Sequence, residues 1–223
     1  ADLVMYMQEN KSEALLIEVI EGMTTNESFF FRDLKPFDYL RDKILPEIFA
    51  KCPEKNKFRI WSAASSTGQE SYSIAMTLME AASCKDKKFE IYATDIDINV
   101  VEKAREGLYY QFEVQRGVPI NLLIKYFTQE GDQWRVKGDV KQLIKFDKFN
   151  LLGNPAALGM FDIVFCRNVL IYFDVPTKEK VLDNITKVME PHAHLFTGGA
   201  ESLMGLNIKL QPVEGLVSVF RLK

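Results

Sequence analysis

The sequence contains few of the residues that build disulfide frameworks and metal sites. Among its 223 residues there are 3 cysteines and 2 histidines. The cysteines, at positions 52, 84 and 166, are widely spaced and form no CxxC pair, so we expect reduced thiols. His192 and His194 follow Pro191 in what reads as a surface turn, and two ligands without a third rarely form a metal site. We therefore expect neither disulfide bonds nor a bound metal ion.

Long apolar runs and an excess of basic charge are also missing. The most apolar segment, residues 160–173, is interrupted by Asp162, Arg167 and Asn168, and it is shorter than the roughly 20 apolar residues that cross a bilayer. The first residues show no basic region followed by an apolar block, as a secretion signal would. The formal net charge of -3 gives no general attraction for nucleic acid. These observations predict a cytoplasmic protein that neither inserts into a membrane nor binds nucleic acid.

Common signatures of hydrolases and nucleotide triphosphatases are absent. The sequence has no GxSxG, HExxH or GxxxxGK[ST] motif, which weighs against serine hydrolases, zinc proteases and P-loop enzymes. It has a single glycine, Gly68, where the dinucleotide fingerprint has three. Because those glycines let the backbone approach a pyrophosphate, a nicotinamide dehydrogenase is disfavoured. A nucleoside cofactor without phosphate fits better, and we expect S-adenosylmethionine.

Strand and helix patterns alternate along most of the chain, which is typical of a parallel sheet covered by helices. The patterns predict strands at 58–64, 89–94, 161–166 and 194–197 and helices at 37–50, 70–82, 97–106 and 176–189. They also predict a short helix at 27–33 that Pro36 ends, a helical segment within 1–22, and a C-terminal antiparallel hairpin of strands at 208–211 and 217–222. The expected fold class is therefore α/β, with a mostly parallel, doubly wound sheet.

Residues 107–149 break this alternation. Short strand-like segments at 126–127, 134–136 and 143–146 surround two glycines, Gly131 and Gly138. Strands of this length bounded by turn residues are typical of an antiparallel unit. We interpret the stretch as a small β insertion.

Several polar residues stand where a nucleoside cofactor would meet them. Small residues at 62–68 form a turn after the first predicted strand, which we call the small-residue turn. Glu70, after this turn, can hold the cofactor's ammonium or ribose, or stabilise the helix dipole. Asp95, at the end of the next strand, can accept hydrogen bonds from two ribose hydroxyls or cap the following helix. Asn150 can meet the adenine edge or form a turn. Asn168 and Tyr172 follow a third strand, at the carboxyl edge of the sheet where ligands bind.

Four motifs resemble those of the CheR-type chemoreceptor glutamate methyltransferases. They read TTNESFFFR at 24–32, WSAASSTGQESYS at 61–73, ATDID at 93–97 and FCRNVLIYFD at 165–174. Their order and approximate spacing also match, from about residue 15 to the end. The resemblance implies a Rossmann-like S-adenosylmethionine-dependent methyltransferase domain at 23–223 with its β insertion at about 109–149. Residues 1–22 then correspond to a remnant of an N-terminal helical domain and its linker.

This family transfers the methyl group of S-adenosylmethionine to glutamate side chains on the cytoplasmic helical bundle of bacterial chemotaxis receptors, leaving glutamate methyl esters and S-adenosylhomocysteine. By resemblance, Arg32 and Tyr172 fall near the transferred methyl group and are the catalytic candidates. Residues 198–201 read GGAE where the family usually has GHSE. With the small-residue turn included, the expected cofactor contacts are Asn26, Ser28, Arg32, Ala63, Gly68, Glu70, Asp95, Ile96, Asn150, Leu151, Asn168 and Val169.

The resemblance also bears on how the chain meets its partner. Arg32 would hold the incoming glutamate carboxylate bidentately, whereas its pattern alone favours a surface arginine paired with Asp33 or Glu27. Family members that are tethered to a receptor-tail peptide have a longer, glycine-rich loop than residues 128–133, so we expect no tether. Because the family's basic N-terminal helices face the acidic receptor, we expect the chain as given to bind cofactor normally and to methylate receptors weakly.

Two other functions remain open from the sequence. One is a methyltransferase that acts on a small molecule or nucleic acid, although Asn154, Pro155 and Ala156 do not form the Asn/Asp-Pro-Pro-aromatic loop common in nucleic-acid amino methylation. The other is a signalling or scaffold module that binds S-adenosylmethionine without turnover. The presence of both Arg32 and Tyr172 weighs against the second alternative.

Overall fold

The computed structural model describes Gly22 and residues 27–223. The helical segment expected within 1–22 and the cofactor contact expected of Asn26 lie outside the described residues.

The described residues form ten strands and eight α-helices. The strands are β1 (Lys57–Ala63), β2 (Lys88–Asp95), β3 (Leu108–Tyr110), β4 (Phe127–Glu130), β5 (Gln133–Val136), β6 (Ile144–Lys148), β7 (Phe161–Cys166), β8 (Met189–Phe196), β9 (Leu210–Pro212) and β10 (Val219–Leu222). The helices are α1 (Lys35–Tyr39), α2 (Leu45–Lys51), α3 (Gln69–Glu80), α4 (Ile98–Glu106), α5 (Gln111–Gln115), α6 (Ile120–Tyr126), α7 (Gly138–Lys141) and α8 (Val175–Thr186). A π-helical stretch, Leu40–Ile44, joins α1 to α2.

Seven of the strands form one sheet in the order β6-β2-β1-β7-β8-β10-β9. The five strands from β6 to β8 run parallel, and β10 and β9 continue the sheet antiparallel. Strand order runs outward from β1 in both directions, which leaves a crevice at the carboxyl ends between β1 and β7. The predicted mostly parallel sheet with an antiparallel C-terminal hairpin is confirmed.

The central strands are buried on both faces. Ile60 and Ile163 belong to one hydrophobic cluster, with α3 and the insertion, and Trp61 and Val164 belong to a second cluster, with α8. Successive side chains of a strand point to opposite faces, so the near-continuous apolar runs of β1 and β7 fill both clusters, as parallel strands do. The sheet is doubly wound, and the fold is Rossmann-like.

Residues 27–33 do not form the expected helix. They form an extended entry and a turn, because Phe31 and Asp33 adopt φ angles of 51° and 70°, which an α-helix does not accommodate. The turn lets Phe30 become fully buried. Pro36 lies in the first turn of α1, where its missing N–H is tolerated, and so begins a helix rather than ending one.

The insertion is smaller and more helical than expected. Strands β3, β5 and β4 form a separate antiparallel sheet, and α5 and α6 lie between β3 and β4. The segment predicted as an insertion strand at 143–146 instead belongs to β6, which pairs parallel with β2 through Ile91 and Ile144. Its apolar residues pack against the main core, so the insertion proper ends before this strand.

The prediction that the two histidines lie in a surface turn is also wrong. Strand β8 begins at Met189 rather than at His194, so both His192 and His194 lie within it. Its register against β7 shifts near the start of the pairing, and such an irregularity accommodates Pro191 inside a strand.

Candidate functional site

A cavity of about 500 Å³ opens at the carboxyl ends of the central parallel strands. Its walls come from the turn after β1, the end of β2, the segments that follow β6 and β7, and residues 27–32. Ligands of open α/β sheets bind at this edge. The lining residues are Glu27, Ser28, Phe29, Arg32, Ala64, Ser65, Ser66, Glu70, Asp95, Ile96, Phe149, Asn150, Leu151, Leu152, Arg167, Asn168, Val169, Tyr172 and Phe173.

Backbone strain is concentrated on the cavity wall. Ala64, Ser66 and Asn168 have φ angles of 57°, 48° and 60°, in the left-handed region that residues with a side chain rarely occupy. Such a conformation costs on the order of 1 kcal/mol or more per residue and persists where surrounding contacts fix it, often at ligand sites. The Ser66 N–H is held by the Asp95 carboxylate at 2.7 Å. The strained turn therefore keeps its small side chains and backbone at the cavity surface.

Asp95 places a buried carboxylate at this turn. Its two oxygens accept hydrogen bonds from the backbone N–H groups of Ser66 and Asp97, and burial raises the pKa of Asp95. A carboxylate has about four acceptor sites, so further hydrogen bonds remain open toward the cavity. The cap of α4 is Asp97, whose side chain accepts from the Asn99 N–H. The alternative in which Asp95 caps that helix is therefore not what the structure shows.

Arg167 is a cavity residue whose guanidinium is largely occupied by protein groups. Its side chain is 1% exposed and forms ion pairs with Glu70 at 2.8 Å and Asp33 at 2.7 Å. It also donates to the Arg32 carbonyl. Burial raises the pKa of Glu70, while the charge of Arg167 and hydrogen bonds from Arg167 and Ser62 oppose that rise. Glu70 thus lines the cavity as the ion-pair partner of Arg167. It also lies in the first turn of α3.

Arg32 is differently placed. Among the described residues its guanidinium makes one hydrogen bond, to the backbone carbonyl of Glu27 at 3.2 Å, and lies 5.1 Å from the centre of the Phe29 ring. The carboxylates expected as its surface partners are taken, since Glu27 pairs with Arg116 and Asp33 pairs with Arg167. Arg32 therefore presents a cation at the cavity without a carboxylate partner among residues 27–223.

Glu201 holds the segment that carries Asn168 and Tyr172. This buried carboxylate accepts backbone N–H groups from Asn168, Leu170, Ile171 and Gly198. A Cβ at Gly198 would lie 2.7 Å from the side-chain nitrogen of Asn168 and 3.0 Å from its backbone nitrogen, so glycine allows the close approach. The turn at Leu170–Tyr172 leaves the Tyr172 side chain 58% exposed at the cavity. No local pattern predicts these contacts of Glu201, because they join segments about thirty residues apart.

Strand β6 positions the part of the cavity wall that follows it. Its pairing with β2 continues in the hydrogen bond from the Phe149 N–H to the Asp95 carbonyl at 2.8 Å, which places the following residues beside the end of β2. Asn150 then forms a turn, with its side chain accepting from the Leu152 N–H, and it also lines the cavity. Both interpretations of Asn150 are therefore compatible with its geometry.

Most of the predicted site residues lie on one cavity. Ser28, Glu70, Ile96, Leu151 and Val169 line it with the polar residues described above, and so do both catalytic candidates. Ala63 and Gly68 are not among the lining residues. Ala63 is buried at the end of β1, and a Cβ at Gly68 would lie 2.9 Å from the Cβ of Ala104, which explains this glycine by packing against α4. Residues that the sequence did not single out as cofactor contacts include Phe29, Ser65, Phe149, Arg167 and Phe173.

The described residues contain no group of three or more His, Cys, Asp or Glu side chains suited to a metal ion. The three cysteines are free thiols. None of the helices within residues 27–223 has the length and apolar composition needed to traverse a bilayer.

A family model described as "CheR methyltransferase, SAM binding domain" matches residues 26–219. The chemotaxis protein methyltransferase of Vibrio parahaemolyticus is 42% identical over 217 residues, which cover 96% of this chain and 78% of that protein. The chain belongs to the CheR methyltransferase family. The chemotaxis protein methyltransferase of Escherichia coli is 35% identical over 191 residues, covering 84% of this chain and 64% of that protein. Among solved structures, the S-adenosylhomocysteine complex of DhpI is similar with a TM-score of 0.45 and 11% identity, covering 86% of this chain and 67% of that one.

The cofactor of this methyltransferase is S-adenosylmethionine, and the cavity fits it. Two buried polar atoms of lining residues, the Ser65 Oγ and the Arg167 Nε, have no hydrogen-bond partner within the described part of the chain. A polar ligand in the cavity can supply the missing partners. Asp95 offers an acceptor for ribose hydroxyls, and Ile96 and Leu151 offer apolar surface for an adenine ring.

Proposed function

We propose that this CheR-family methyltransferase transfers the methyl group of S-adenosylmethionine to glutamate side chains of bacterial chemoreceptors. The products are a glutamate methyl ester and S-adenosylhomocysteine. The observation that carries the proposal is Arg32, a cation on the cavity wall whose neighbouring carboxylates are bound to other arginines. A site of this kind suits a negatively charged substrate. Arg32 and Tyr172 are the proposed catalytic residues.

We assign the cofactor to the residues that surround the strained turn. Asp95 accepts hydrogen bonds from the ribose, the amide of Asn150 meets the adenine edge, and Arg167 with Ser65 meets the polar end. The contacts proposed for Ser28, Glu70, Ile96, Leu151, Asn168 and Val169 follow from their positions on the cavity wall. When bound, the cofactor supplies a methyl group on a positively charged sulfur.

The chain's own residues have little proton chemistry to perform. A glutamate carboxylate is ionised at neutral pH, since its reference pKa is about 4.3, and its oxygen attacks the methyl group without a general base. Placing the reactants in line can contribute roughly 7–11 kcal/mol. Arg32 orients the carboxylate through two parallel hydrogen bonds, and the Tyr172 ring covers the opposite side of the reacting centre and excludes water. Both roles depend on the position of the side chain.

The proposed partner is the cytoplasmic helical bundle of methyl-accepting chemotaxis receptors, which makes the site of action cytoplasmic. We propose no tether to a receptor-tail peptide, because β4 and β5 are joined by the two-residue turn at Gly131 and Asp132. Such a hairpin leaves little backbone to shape a peptide groove. We retain 23–223 as the methyltransferase domain.

The direct test uses labelled S-adenosylmethionine and a receptor cytoplasmic fragment. We expect label to enter the fragment and to be released as methanol by mild base, because carboxylate methyl esters hydrolyse readily. A matched fragment whose candidate glutamates are replaced by glutamine should take up no label. Label that survives base, or equal labelling of the glutamine fragment, would exclude glutamate methylation. Cofactor binding without any labelling would favour the scaffold function.

A further inference from the structure

A second cluster of reactive side chains lies at the opposite edge of the sheet from the cavity. The Cys52 Sγ is 3.5 Å from the His192 Nδ1, and the His192 Nε2 is 2.7 Å from the Asp162 Oδ1. Asp162 is near the start of β7 and Arg167 follows its end. Five residues of strand span about 16 Å, so this cluster is separate from the proposed methyl-transfer site.

The surroundings of Asp162 fix the arrangement. Its carboxylate is 1% exposed and also accepts from the Lys55 ammonium at 2.5 Å and from the Arg59 N–H at 2.8 Å. Because this anion lies against Nε2, the ring proton of a neutral His192 is held on Nε2. Nδ1 is then left as an acceptor that faces the Cys52 thiol. The order of thiol, imidazole and carboxylate is that of an activated nucleophile, its base and the group that orients the base.

The three cysteines differ in their access to such chemistry. Cys52 is partly exposed at the end of α2, whereas Cys84 and Cys166 are buried. Burial raises the pKa of the Cys84 thiol to about 11 and raises that of Cys166 well above its usual value, which keeps both protonated and inert. They provide internal references for an unactivated thiol.

We propose that Cys52 is a reactive thiol, activated by His192 and oriented through Asp162, that undergoes exchange with low-molecular-weight disulfides. The Cys52 proton moves from Sγ to the His192 Nδ1, and the imidazolium keeps its Nε2–H on Asp162. The thiolate then attacks one sulfur of the disulfide. A new sulfur–sulfur bond forms at Cys52 as the old one breaks, and the leaving sulfur departs with the electron pair as a thiolate, which takes up a proton. Cys52 is thus a modification site on the face of the protein away from the cavity.

The test measures the rate at which oxidised glutathione modifies Cys52 at neutral pH, with the modified peptide identified by mass spectrometry. We expect one glutathione per chain, on Cys52, at a rate above that of free cysteine under the same conditions, because the thiol lies next to a base. In His192→Gln the rate should fall about 100-fold, the lower end of what a positioned base contributes. Modification of Cys84 or Cys166 in its place would overturn the proposal.

His194→Gln is the matched control, because this second histidine lies two residues along β8 and makes no hydrogen bond with Cys52 in the described chain. Its rate should equal that of the parent. A parent rate no higher than that of free cysteine, or a rate that His192→Gln leaves unchanged, would refute the activation. Since the comparison with free cysteine needs only the parent, the proposal stays testable even where a variant folds poorly. Cofactor affinity, measured by calorimetry, reports that each variant is folded.

Discussion

Two arginines of the described residues line the cavity, and their neighbours give them different roles. Arg167 donates hydrogen bonds to Glu70, Asp33 and a backbone carbonyl, so it ties the turn at residues 30–33 to the end of β7. Arg32 lies near the Phe29 ring, and among the described residues its guanidinium donates to one backbone carbonyl. A guanidinium without a carboxylate partner is suited to bind one from outside. The same residue type thus serves the fold and the proposed cofactor contact at one position and the proposed substrate at the other.

Replacing Asp95 by alanine should weaken cofactor binding. The lost hydrogen bonds to the ribose correspond to about 1.5–3 kcal/mol, the range for hydrogen bonds to a charged group, or roughly a 10- to 150-fold rise in the dissociation constant. Isothermal titration with S-adenosylhomocysteine measures this dissociation constant.

Asp97→Ala is the matched control for that substitution. It removes the cap of α4 and should cost about 1 kcal/mol of folding stability while leaving cofactor affinity near the parent value. If Asp95→Ala binds as tightly as the parent, the assignment of Asp95 to the ribose is wrong.

At the scale of elements, Glu201 in the loop after β8 positions part of the cavity wall without lining the cavity itself. Glu201→Gln replaces an anion that accepts four backbone N–H groups by an amide with one acceptor oxygen. We expect a loss of about 1–3 kcal/mol in unfolding free energy for each N–H left unpaired, measured by urea denaturation. Methyl transfer should fall as the segment carrying Tyr172 loosens.

Glu179→Gln is the comparison variant, because Glu179 accepts one backbone N–H at the surface, from Asn207. It should change stability little. Equal stability of the Glu201 variant and the Glu179 variant would contradict the claim that Glu201 holds residues 168–171 in place.

The β4–β5 hairpin predicts how the protein meets its receptor. Strand β4 is an edge of the small sheet and carries Glu130, which pairs with Arg135 of the central strand β5. A charged side chain on an edge strand discourages the addition of another strand. We expect no micromolar binding of a receptor C-terminal peptide by titration calorimetry, and we expect binding of the helical methylation region to be independent of that peptide. A micromolar dissociation constant for the peptide would reverse this assignment.

The elements that the sequence predicted well are those fixed by local pattern. The strand at 161–166 coincides with β7, whose side chains are all buried, because its residues other than Asp162 are apolar. The helix expected at 27–33 does not form, because Phe30 and Phe31 are buried by a turn in which Phe31 and Asp33 have positive φ angles. Strand β6 was assigned to the insertion since its partner, β2, lies about fifty residues earlier, and no local pattern reports such a pairing.

The residues of the candidate site also differ in whether the sequence could place them there. Asp95, Asn168 and Tyr172 could be placed from the sequence because parallel strands bring their carboxyl ends to one edge. Arg167 was not assigned to the site, since its role depends on Glu70 and Asp33, which lie 97 and 134 residues away. At Gly68 the need for glycine follows from the close approach of Ala104 on α4, a distant contact that local sequence does not report.

For the whole molecule, a cavity with strained walls and unpaired polar atoms should make folding stability depend on ligand. S-adenosylhomocysteine at 100 times its dissociation constant should add about 2.7 kcal/mol. For a chain of this size that corresponds to a rise in Tm of about 5–11 °C, measured by differential scanning calorimetry. ATP is the control, because the turn after β1 lacks the glycines that admit phosphates. An equal rise with ATP would count against a phosphate-free cofactor site.

The measurement that tests the central claim most directly compares Arg32→Ala with Arg41→Ala. Arg32 lines the cavity, whereas Arg41 is exposed, pairs with Asp38 and Asp42 and does not line it. With labelled S-adenosylmethionine and a receptor fragment, Arg32→Ala should lower kcat/KM for the fragment about 10- to 150-fold, the equivalent of 1.5–3 kcal/mol, and change cofactor affinity less. Arg41→Ala should match the parent in both. Methyl transfer at the parent rate by Arg32→Ala, or an equal loss in Arg41→Ala, would contradict the placement of the substrate carboxylate at Arg32.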